Sequence, residues 1–238
     1  MPSMLKKFLP DKSTAGDFRY EIKYICHETE LYRINTWIRC HPLAFREAYP
    51  PRQVNNIYFD THHLSNIDEN LAGISERGKL RLRWYGNIFV FSSSVLEYKQ
   101  KRASLGRKLS TSLNRVIDLN TMDWKTVGIE LQKSELGRLA PLLAVYDNPS
   151  LINHYQREYF ISADEKIRLT IDKDLFFFRQ GLTAVPNIRY PAPYNEVLVV
   201  EIKSDASAHA RIAEVSHHFP LRASAFSKYT TGILGMNK

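Results

Sequence analysis

Glutamate and lysine recur two residues apart in three segments of the chain, and a fourth segment alternates cations with apolar residues. The three Glu-x-Lys pairs are Glu21/Lys23, Glu97/Lys99 and Glu201/Lys203. The alternating cations of GKLRLRWYGN are Lys79, Arg81 and Arg83. A spacing of two places side chains on one face of a β-strand. A cationic strand face suits an anionic ligand, and the arginine fork matches phosphate oxygens in particular.

Similar charged faces occur on other predicted strands, and two interpretations are open. YQREY carries Arg157, and IRLTID alternates Arg168 and Asp172 with apolar residues. Any one of these faces could be the solvent side of an antiparallel sheet, because such sheets often leave one face wet. As a set, however, their opposite faces are apolar enough to need a cover, which the predicted helices supply. A covered sheet of about eight strands that closes on itself would direct its charges inward, around room for one slender ligand.

Repulsion among inward-facing cations limits what such an interior could be. Two like charges about 4 Å apart repel by roughly 4 kcal/mol at an effective dielectric constant near 20, whereas a whole domain is stable by only about 5–15 kcal/mol. The glutamates offset part of this repulsion, and a bound polyanion would offset the rest. Carboxylates repel phosphate unless a divalent cation such as Mg²⁺ or Mn²⁺ bridges the two. The residues therefore indicate a metal-dependent site for a linear, multiply charged phosphate ligand.

The composition limits the kinds of partner and the cellular compartment that are expected for the protein. The 238-residue chain has a formal net charge of +8 and a pI of about 9.4, which favours an anionic partner. Only two cysteines occur, Cys26 and Cys40, without metal-ligand spacing, so a disulfide framework is not expected. The start MPSMLKKFLPDKS lacks the apolar segment of a secretory signal, and runs such as VLVV are too short to span a membrane. A soluble, cytoplasmic protein is expected.

Alternation and helical spacing predict a strand-rich chain with helices in the connections. Predicted strands cover 17–25, 54–61, 79–86, 88–102, 155–161, 167–178 and 196–205. Predicted helices cover 27–45, 111–145 and 209–219. The basic segment 106–110 is predicted as a loop or a short strand. Because no internal repeat or low-complexity linker divides the chain, a single domain is expected after a loose arm at 1–17.

The order of the charged segments resembles that of a known family. The chain contains, in this order, RYEIKY, IYFDT, KLRLRWYG, LEYKQKR, YQREYF, IRLTIDKDL, VLVVEIK and FSKYTTG. This series resembles the VTC (vacuolar transporter chaperone) polyphosphate polymerase domain of the triphosphate tunnel metalloenzyme superfamily, in its prokaryotic stand-alone type. The resemblance implies an α+β fold, with a closed antiparallel β-barrel tunnel of about eight strands and helices packed on the outside. The resemblance runs from about Phe18 to Gly232, so a single VTC-like triphosphate tunnel domain is expected at 18–238, after the flexible N-terminal arm at 1–17.

The resemblance also implies roles for individual residues. The residues implied to be catalytic are Lys23, Arg81, Arg83, Arg168 and Lys203. Those implied to bind phosphate are Lys99, Lys108, Arg157, Ser227 and Lys228. The implied ligands of Mn²⁺ or Mg²⁺ are Glu201, as the principal one, with Glu21 and Glu97 as helpers. Tyr155 and Tyr58 are implied to shape the lumen or the site of the base. One departure is Arg19, which stands where the wider superfamily often has the first Glu of a Glu-x-Glu-x-Lys motif.

The resemblance and the charge pattern together favour phosphoryl transfer. The γ-phosphoryl group of ATP, or of another nucleoside triphosphate, would pass to polyphosphate or pyrophosphate inside a basic tunnel. The acceptor is already an oxyanion, so such a transfer needs positioning and charge neutralisation rather than a general base. The preferred nucleotide, the metal and the oligomeric state are left open by the sequence.

Two alternatives to the polymerase stay open. A tunnel triphosphatase or nucleotide phosphohydrolase would need a carboxylate such as Glu97 or Asp172 to activate water. A non-catalytic sensor of polyphosphate or inositol phosphate would bind without metal and turn nothing over. Nucleic acid is not an expected partner, because the cationic faces also carry glutamates and no recognition-helix or RNP-like motif occurs.

Overall fold

The computed structural model describes residues 19–102, 105–194, 196–205 and 209–235, and strands predominate in it. Its strands are β1 (Arg19–His27), β2 (Arg46–Asp60), β3 (Glu76–Tyr85), β4 (Val90–Phe91), β5 (Ser94–Arg102), β6 (Leu105–Leu113), β7 (Ile117–Asp118), β8 (Asn148–Ile161), β9 (Ile167–Arg179), β10 (Ala192–Tyr194) and β11 (Val197–Asp205). Its α-helices are α1 (Leu31–Cys40), α2 (Ser65–Leu71), α3 (Trp124–Gln132), α4 (Ala140–Val145), α5 (His209–His217) and α6 (Lys228–Leu234). The arm predicted at 1–17 lies outside the described residues. Within them, no helix has the length and apolarity needed to cross a membrane.

One antiparallel sheet of nine strands dominates the fold. Its strand order is β10-β9-β11-β1-β6-β5-β3-β2-β8, and β8 pairs in addition with β9 from Leu151 to Ile161. The sheet therefore curls until distant strands meet. However, the described residues of β1 pair with β6 only between Arg19 and Gly106, so the ring has a thin seam there. The predicted α+β class with a mostly antiparallel sheet is confirmed, whereas complete closure into a barrel is not, because this seam is not continuously hydrogen-bonded.

Helices cover the outer face of the curled sheet on two sides. α1 and α5 pack on β1, β9 and β11 in a buried cluster that includes Ile34, Ile212 and Val200. α3 and α4 pack on β2, β3 and β5 in another cluster, which includes Val127 and Leu82. Successive side chains of a strand point to opposite faces. Covering the apolar face with helices therefore leaves the alternate, charged side chains on the inner face of the curl.

β2 is much longer than the pattern predicts. The alternation predicts a strand only from residue 54, but β2 begins at Arg46 and runs through two prolines. Residues Val54–Phe59 pair with both β3 and β8, whereas the earlier part pairs with β8 alone among the described strands, with register shifts near Tyr49 and Arg52. Proline is tolerated there because its missing N–H falls in an irregular, one-sided stretch of the sheet.

The segment 111–145 is less helical than predicted. β6 continues to Leu113, and β7 then pairs with β4 in a separate two-stranded sheet. Helix is confined to α3 and α4, apart from a short 3-10 turn (Gly137–Leu139). Asp123 is the N-cap of α3, and its carboxylate accepts a hydrogen bond from the Thr126 amide at 2.7 Å. The basic segment 106–110 belongs to β6 and is therefore a strand.

Candidate functional site

The predicted site residues gather on the inner face of the curled sheet. Strand register places opposite charges beside each other at Lys23/Glu201, Glu21/Lys203, Arg157/Asp172 and Arg81/Glu97. Opposite charges that face each other across antiparallel strands stabilise the pairing. The inner face is therefore ordered by ion pairs and is not an undivided wall of positive charge.

Seven side chains form one ion-pair network, here called the paired cluster. Its members are Glu21, Lys23, Arg157, Asp172, Glu201, Lys203 and Lys228. Asp172 is fully buried. Its Oδ1 accepts from Arg157 Nε at 2.5 Å, and its Oδ2 accepts from Arg157 Nη2 at 2.6 Å and from Lys228 Nζ at 2.5 Å. Because Arg157 Nη2 also lies 3.5 Å from Glu201 Oε2, this guanidinium joins two carboxylates.

Burial and charge act in opposite directions on the carboxylates of the paired cluster. Burial alone would raise the pKa of Asp172 and of Glu201, because a low dielectric disfavours the charged form. At Asp172, the neighbouring Arg157 and Lys228 outweigh burial and lower the pKa. At Glu201, the lysines led by Lys203 hold the pKa well below its usual range. Both carboxylates are therefore ionised at neutral pH and are weak bases.

Arg81 and Glu97 form a second ion pair, between β3 and β5. Glu97 Oε2 accepts from Arg81 Nε at 2.7 Å and from Nη2 at 2.6 Å. Its other oxygen lies 3.4 Å from Lys108 Nζ. Burial alone would raise the pKa of Glu97, but the adjacent cations, led by Arg81, lower it well below the usual range. Glu97 is thus committed to cations of β3, β5 and β6.

Two of the predicted catalytic arginines make no ion pair with any described residue. Arg83 donates from Nε to Asn56 Oδ1 at 2.9 Å and from Nη2 to the Tyr155 hydroxyl at 3.1 Å. Both partners are neutral, so the charge of Arg83 remains available to a ligand. Arg168 is exposed and lies opposite Lys203 in the register of β9 and β11. It extends the same inner face toward its rim.

A further group on β3 and β5 sets like charges side by side and is here called the cationic cluster. Its members are Arg77, Lys79, Lys99 and Lys101. Arg77 lies opposite Lys101, and Lys79 lies opposite Lys99. Like charges directly across strands destabilise a sheet. Within the described part of the chain, no carboxylate forms a salt bridge with any of these four side chains.

Repulsion in the cationic cluster lowers the pKa values of Lys79 and Lys99. Burial and the neighbouring cations of β1, β3 and β5 lower the pKa of Lys79 to about 7. For Lys99, the charge of Arg81 followed by burial lowers the pKa well below its usual value. Lys99 is accessible to water, yet the curled sheet surrounds it, so it feels its neighbours strongly. Lys79 Nζ has one neutral partner, the Ser227 hydroxyl, at 2.7 Å.

The helix α6 brings Ser227 and Lys228 to the inner face. Ser227 is the N-cap of α6, and the buried Lys228 follows it in the first turn. The next residue, Tyr229, anchors the helix, since its hydroxyl donates to Asp60 Oδ2 at 2.5 Å. Gly232 permits close packing on β8 and β9, because a Cβ there would lie 2.5 Å from a side-chain atom of β8. These contacts fix where the two predicted phosphate ligands sit.

Glu21 and Glu201 are the carboxylates best placed to hold a divalent cation. Lys23 Nζ lies 3.4 Å from Glu21 Oε1 and 3.5 Å from Glu201 Oε1, and Lys203 contacts both as well. Glu97 belongs to the separate pair on β5. Across the described ranges, no three acidic, histidine or cysteine side chains are grouped as a metal site. The donor set therefore fits Mg²⁺ or Mn²⁺ held by one or two carboxylates and completed by phosphate oxygens of a ligand, not an all-protein site.

Some residues of the inner face escape prediction from the sequence. From the sequence, Asp172 is placed on a charged strand face and considered as the base of a hydrolase, but it is not identified as the buried partner of two predicted phosphate ligands, Arg157 and Lys228. Lys79 is recognised in the sequence as one of the alternating cations with Arg81 and Arg83, but the resemblance implies no role for it. Asn56 gives no such signal, because an uncharged residue in a strand does not stand out in a charge pattern.

The curled antiparallel sheet, with helices on its outer face and charged side chains on its inner face, defines a β-rich α+β protein. Residues 18–237 match the VTC domain, so the chain belongs to the VTC domain family. This membership supports an enzyme of the triphosphate tunnel type, a class that generally depends on a divalent metal. No curated protein matches the chain significantly. Among solved structures, a "putative adenylate cyclase" from Vibrio parahaemolyticus aligns over 89% of this chain and 95% of that one, with 15% identity and a TM-score of 0.49, which is too low to assign a function.

Proposed function

We propose that this protein is a metal-dependent polyphosphate polymerase, which transfers the γ-phosphoryl group of ATP to a polyphosphate chain along the inner face of the sheet. The observation that carries the proposal is the cationic cluster. Its four side chains lack a carboxylate partner among the described residues, and they continue directly into Arg81 and Arg83 on β3. A linear polyanion lying along this face would replace repulsion with charge-assisted hydrogen bonds.

In this function the curled sheet would act as a tunnel around the polyphosphate chain. Pairing of β8 with β9 joins the far strands, and β1 meets β6 at Arg19 and Gly106. Charges also interact across that seam, because Glu21 of β1 and Lys99 of β5 each affect the pKa of the other. A tunnel would hold a polyphosphate chain in single file and exclude bulk water from the reacting phosphates.

The state of the carboxylates favours transfer over hydrolysis. A hydrolase must activate water, and the carboxylates proposed to act as its base are Glu97 and Asp172. Both are ion-paired, and the pKa of each is lowered by its cationic neighbours, so neither is suited to take a proton from water. Attack by a polyphosphate terminus needs no base, because the nucleophile is already an oxyanion.

Within this proposal the chain's own residues bind and orient the phosphates. Arg83, whose hydrogen-bond partners among the described residues are neutral, would donate to the transferring phosphoryl group, where charge develops. Lys23 and Lys203 would hold neighbouring phosphates beside Glu201 and Glu21. A divalent cation on these two carboxylates would supply further neutralisation of phosphate charge.

A product analysis tests the proposal directly. The purified protein is incubated with ATP, Mn²⁺ and a trace of pyrophosphate as primer, and the products are resolved on a gel stained for polyphosphate. A ladder of long chains with release of ADP is expected. Release of free phosphate without polyphosphate chains would show that the protein is a tunnel phosphohydrolase and not a polymerase. Tight binding of added polyphosphate without turnover of ATP would show that the protein is a non-catalytic sensor.

A further inference from the structure

Three tyrosines and an arginine lie together where β2, β3 and β8 reach one end of the inner face. The Cζ atom of Arg52 lies 4.9 Å from the ring centroid of Tyr49, 5.8 Å from that of Tyr85 and 5.9 Å from that of Tyr159. The rings of Tyr49 and Tyr159 meet edge to face, with centroids 5.7 Å apart. These four residues are here called the aromatic platform.

The aromatic platform is open to solvent. Tyr49 is 56% exposed and Tyr85 is 48% exposed, while Tyr159 is half-buried. Aromatic side chains usually bury most of their large surface. Exposed flat rings grouped around a guanidinium are typical of surfaces that stack planar ligands, since both the rings and the guanidinium offer π or cation–π contacts.

The platform directly continues the phosphate-suited residues. Tyr85 follows Arg83 on β3, and Tyr159 follows Arg157 on β8, each two residues along the same strand face. Two residues of a strand span about 7 Å. That length is comparable to the separation between the base and the first phosphate across the ribose of a nucleotide. Strand register also places Arg52 opposite Arg157, so the platform and the cations form one continuous surface.

We propose that the aromatic platform binds the base of the nucleoside triphosphate, stacking it against Tyr85 and Tyr159 while the phosphates contact Arg83 and Arg157. The inference rests on the proposed function, because a protein for inorganic polyphosphate alone would have no base to stack. Stacking accepts the π face of any base. The platform therefore selects nucleotides over inorganic triphosphate and discriminates only weakly among bases.

The two tyrosines implied to shape the lumen or the site of the base are not available for stacking. Tyr155 and Tyr58 are both buried. The Tyr155 hydroxyl accepts from Arg83 Nη2, and Tyr58 already stacks on Tyr229 with ring centroids 5.0 Å apart. They shape the lumen wall, and the exposed rings at its end remain for the base.

Comparing two ligands that share a triphosphate isolates the contribution of the base. Isothermal titration calorimetry with ATP and with inorganic tripolyphosphate, both with Mg²⁺, is performed on the wild type, Tyr85→Ala and Tyr159→Leu. Losing one stacking partner is expected to weaken ATP binding by about tenfold. The affinity for tripolyphosphate stays unchanged. Tyr85→Phe keeps the ring and keeps the affinity for ATP. Tyr32→Ala, at a tyrosine on α1 that is 83% exposed, is the matched control and changes neither ligand.

The outcomes separate the platform from the proposed function. Unchanged ATP affinity in both variants, or equal losses for ATP and tripolyphosphate, would overturn the platform and leave the phosphate site standing. Wild-type protein that binds tripolyphosphate as tightly as ATP would do the same. Wild-type protein that binds neither ligand would overturn the proposed function, and the platform with it.

Discussion

The paired cluster and the cationic cluster lie on the same face of one sheet and treat charge in opposite ways. In the paired cluster, cross-strand neighbours such as Glu21 and Lys203 have opposite signs. In the cationic cluster, Lys79 faces Lys99 and Arg77 faces Lys101. Both patterns come from the same period-two alternation, so only strand register separates them. The comparison indicates that the paired cluster carries its own counter-charges, whereas the cationic cluster has no carboxylate partner among the described residues and would gain counter-charge from an anionic ligand.

The energetic consequences of the two arrangements differ. A buried ion pair with good hydrogen bonds contributes little net stability. Removing one partner, however, leaves the other charge buried without a counter-charge, which lowers the free energy of unfolding strongly. Repulsion between adjacent cations lowers the stability of the ligand-free protein, and a bound polyanion offsets this repulsion because each cation attracts it. Removing a buried member of the paired cluster should therefore damage the fold in addition to any ligand contact, whereas substitutions in the cationic cluster should affect binding more than folding.

The largest expected effect is that of Asp172→Asn, which keeps the side-chain shape and removes the charge. Arg157 and Lys228 would then be buried without a counter-charge, and the free energy of unfolding should fall by about 3–5 kcal/mol. Urea denaturation measures this loss. Asp174→Asn, at an exposed position on the same strand, is the control and should stay near the wild type. A wild-type midpoint for Asp172→Asn would remove the distinction between the two regions.

Arg83→Ala should lower turnover strongly without unfolding the protein. Its hydrogen-bond partners Asn56 and Tyr155 are neutral, so the substitution leaves neither of them as a buried charge without a counter-charge. Loss of one donor to a transferring phosphoryl group is expected to reduce kcat by about 10²–10³-fold. Steady-state kinetics with ATP, together with the melting temperature, measure both properties. A collapse of the melting temperature would instead assign Arg83 to the support of the fold.

The strands themselves could largely be predicted from the sequence. β3, β9 and β11 occur close to their predicted bounds, because alternation records directly which side chains are covered. The start of β2 could not be predicted, since it depends on one-sided pairing with β8 around the prolines. The curl of the sheet likewise depends on pairings between strands distant in sequence, and a local pattern does not reveal how far β1 pairs with β6.

The cations of the site could be predicted, but their partners could not. Charged residues at a spacing of two stand out in the sequence, and those positions do face one another. Which cation lacks a counter-charge is decided by register. Asp172 meets Arg157 from 15 residues away and Lys228 from 56 residues away. The aromatic platform was missed for the same reason, because Arg52 reaches Tyr85 only through the extended part of β2.

The cationic cluster should make phosphate binding depend on pH. The pKa of Lys79 is lowered to about 7, so the free protein loses this charge as pH rises through that value. Bound phosphate favours the charged lysine, and affinity for tripolyphosphate should therefore fall above pH 7, by at most about tenfold per pH unit. Lys79→Arg stays charged and should lose this dependence. Because the ligand's own titration is common to both proteins, parallel affinity profiles from pH 6 to 9 would exclude Lys79 as the group responsible.

The smallest expected effect has the opposite sign from that of Asp172→Asn. The charge of Arg81, followed by burial, places the pKa of Lys99 well below its unfolded value, so the unfolded chain binds this proton more tightly and Lys99 destabilises the fold at neutral pH. Lys99→Met should raise the melting temperature by about 2–4 °C, the shift expected for about 1 kcal/mol in a chain of this size. High salt should shrink the gain, because it screens the repulsion that the substitution removes. Lys173→Met, which removes a lysine 2.7 Å from Glu158, should give no gain. A destabilised Lys99→Met would mean that the cationic cluster supports the fold as the paired cluster does, and the contrast between the two regions would then be one of geometry alone.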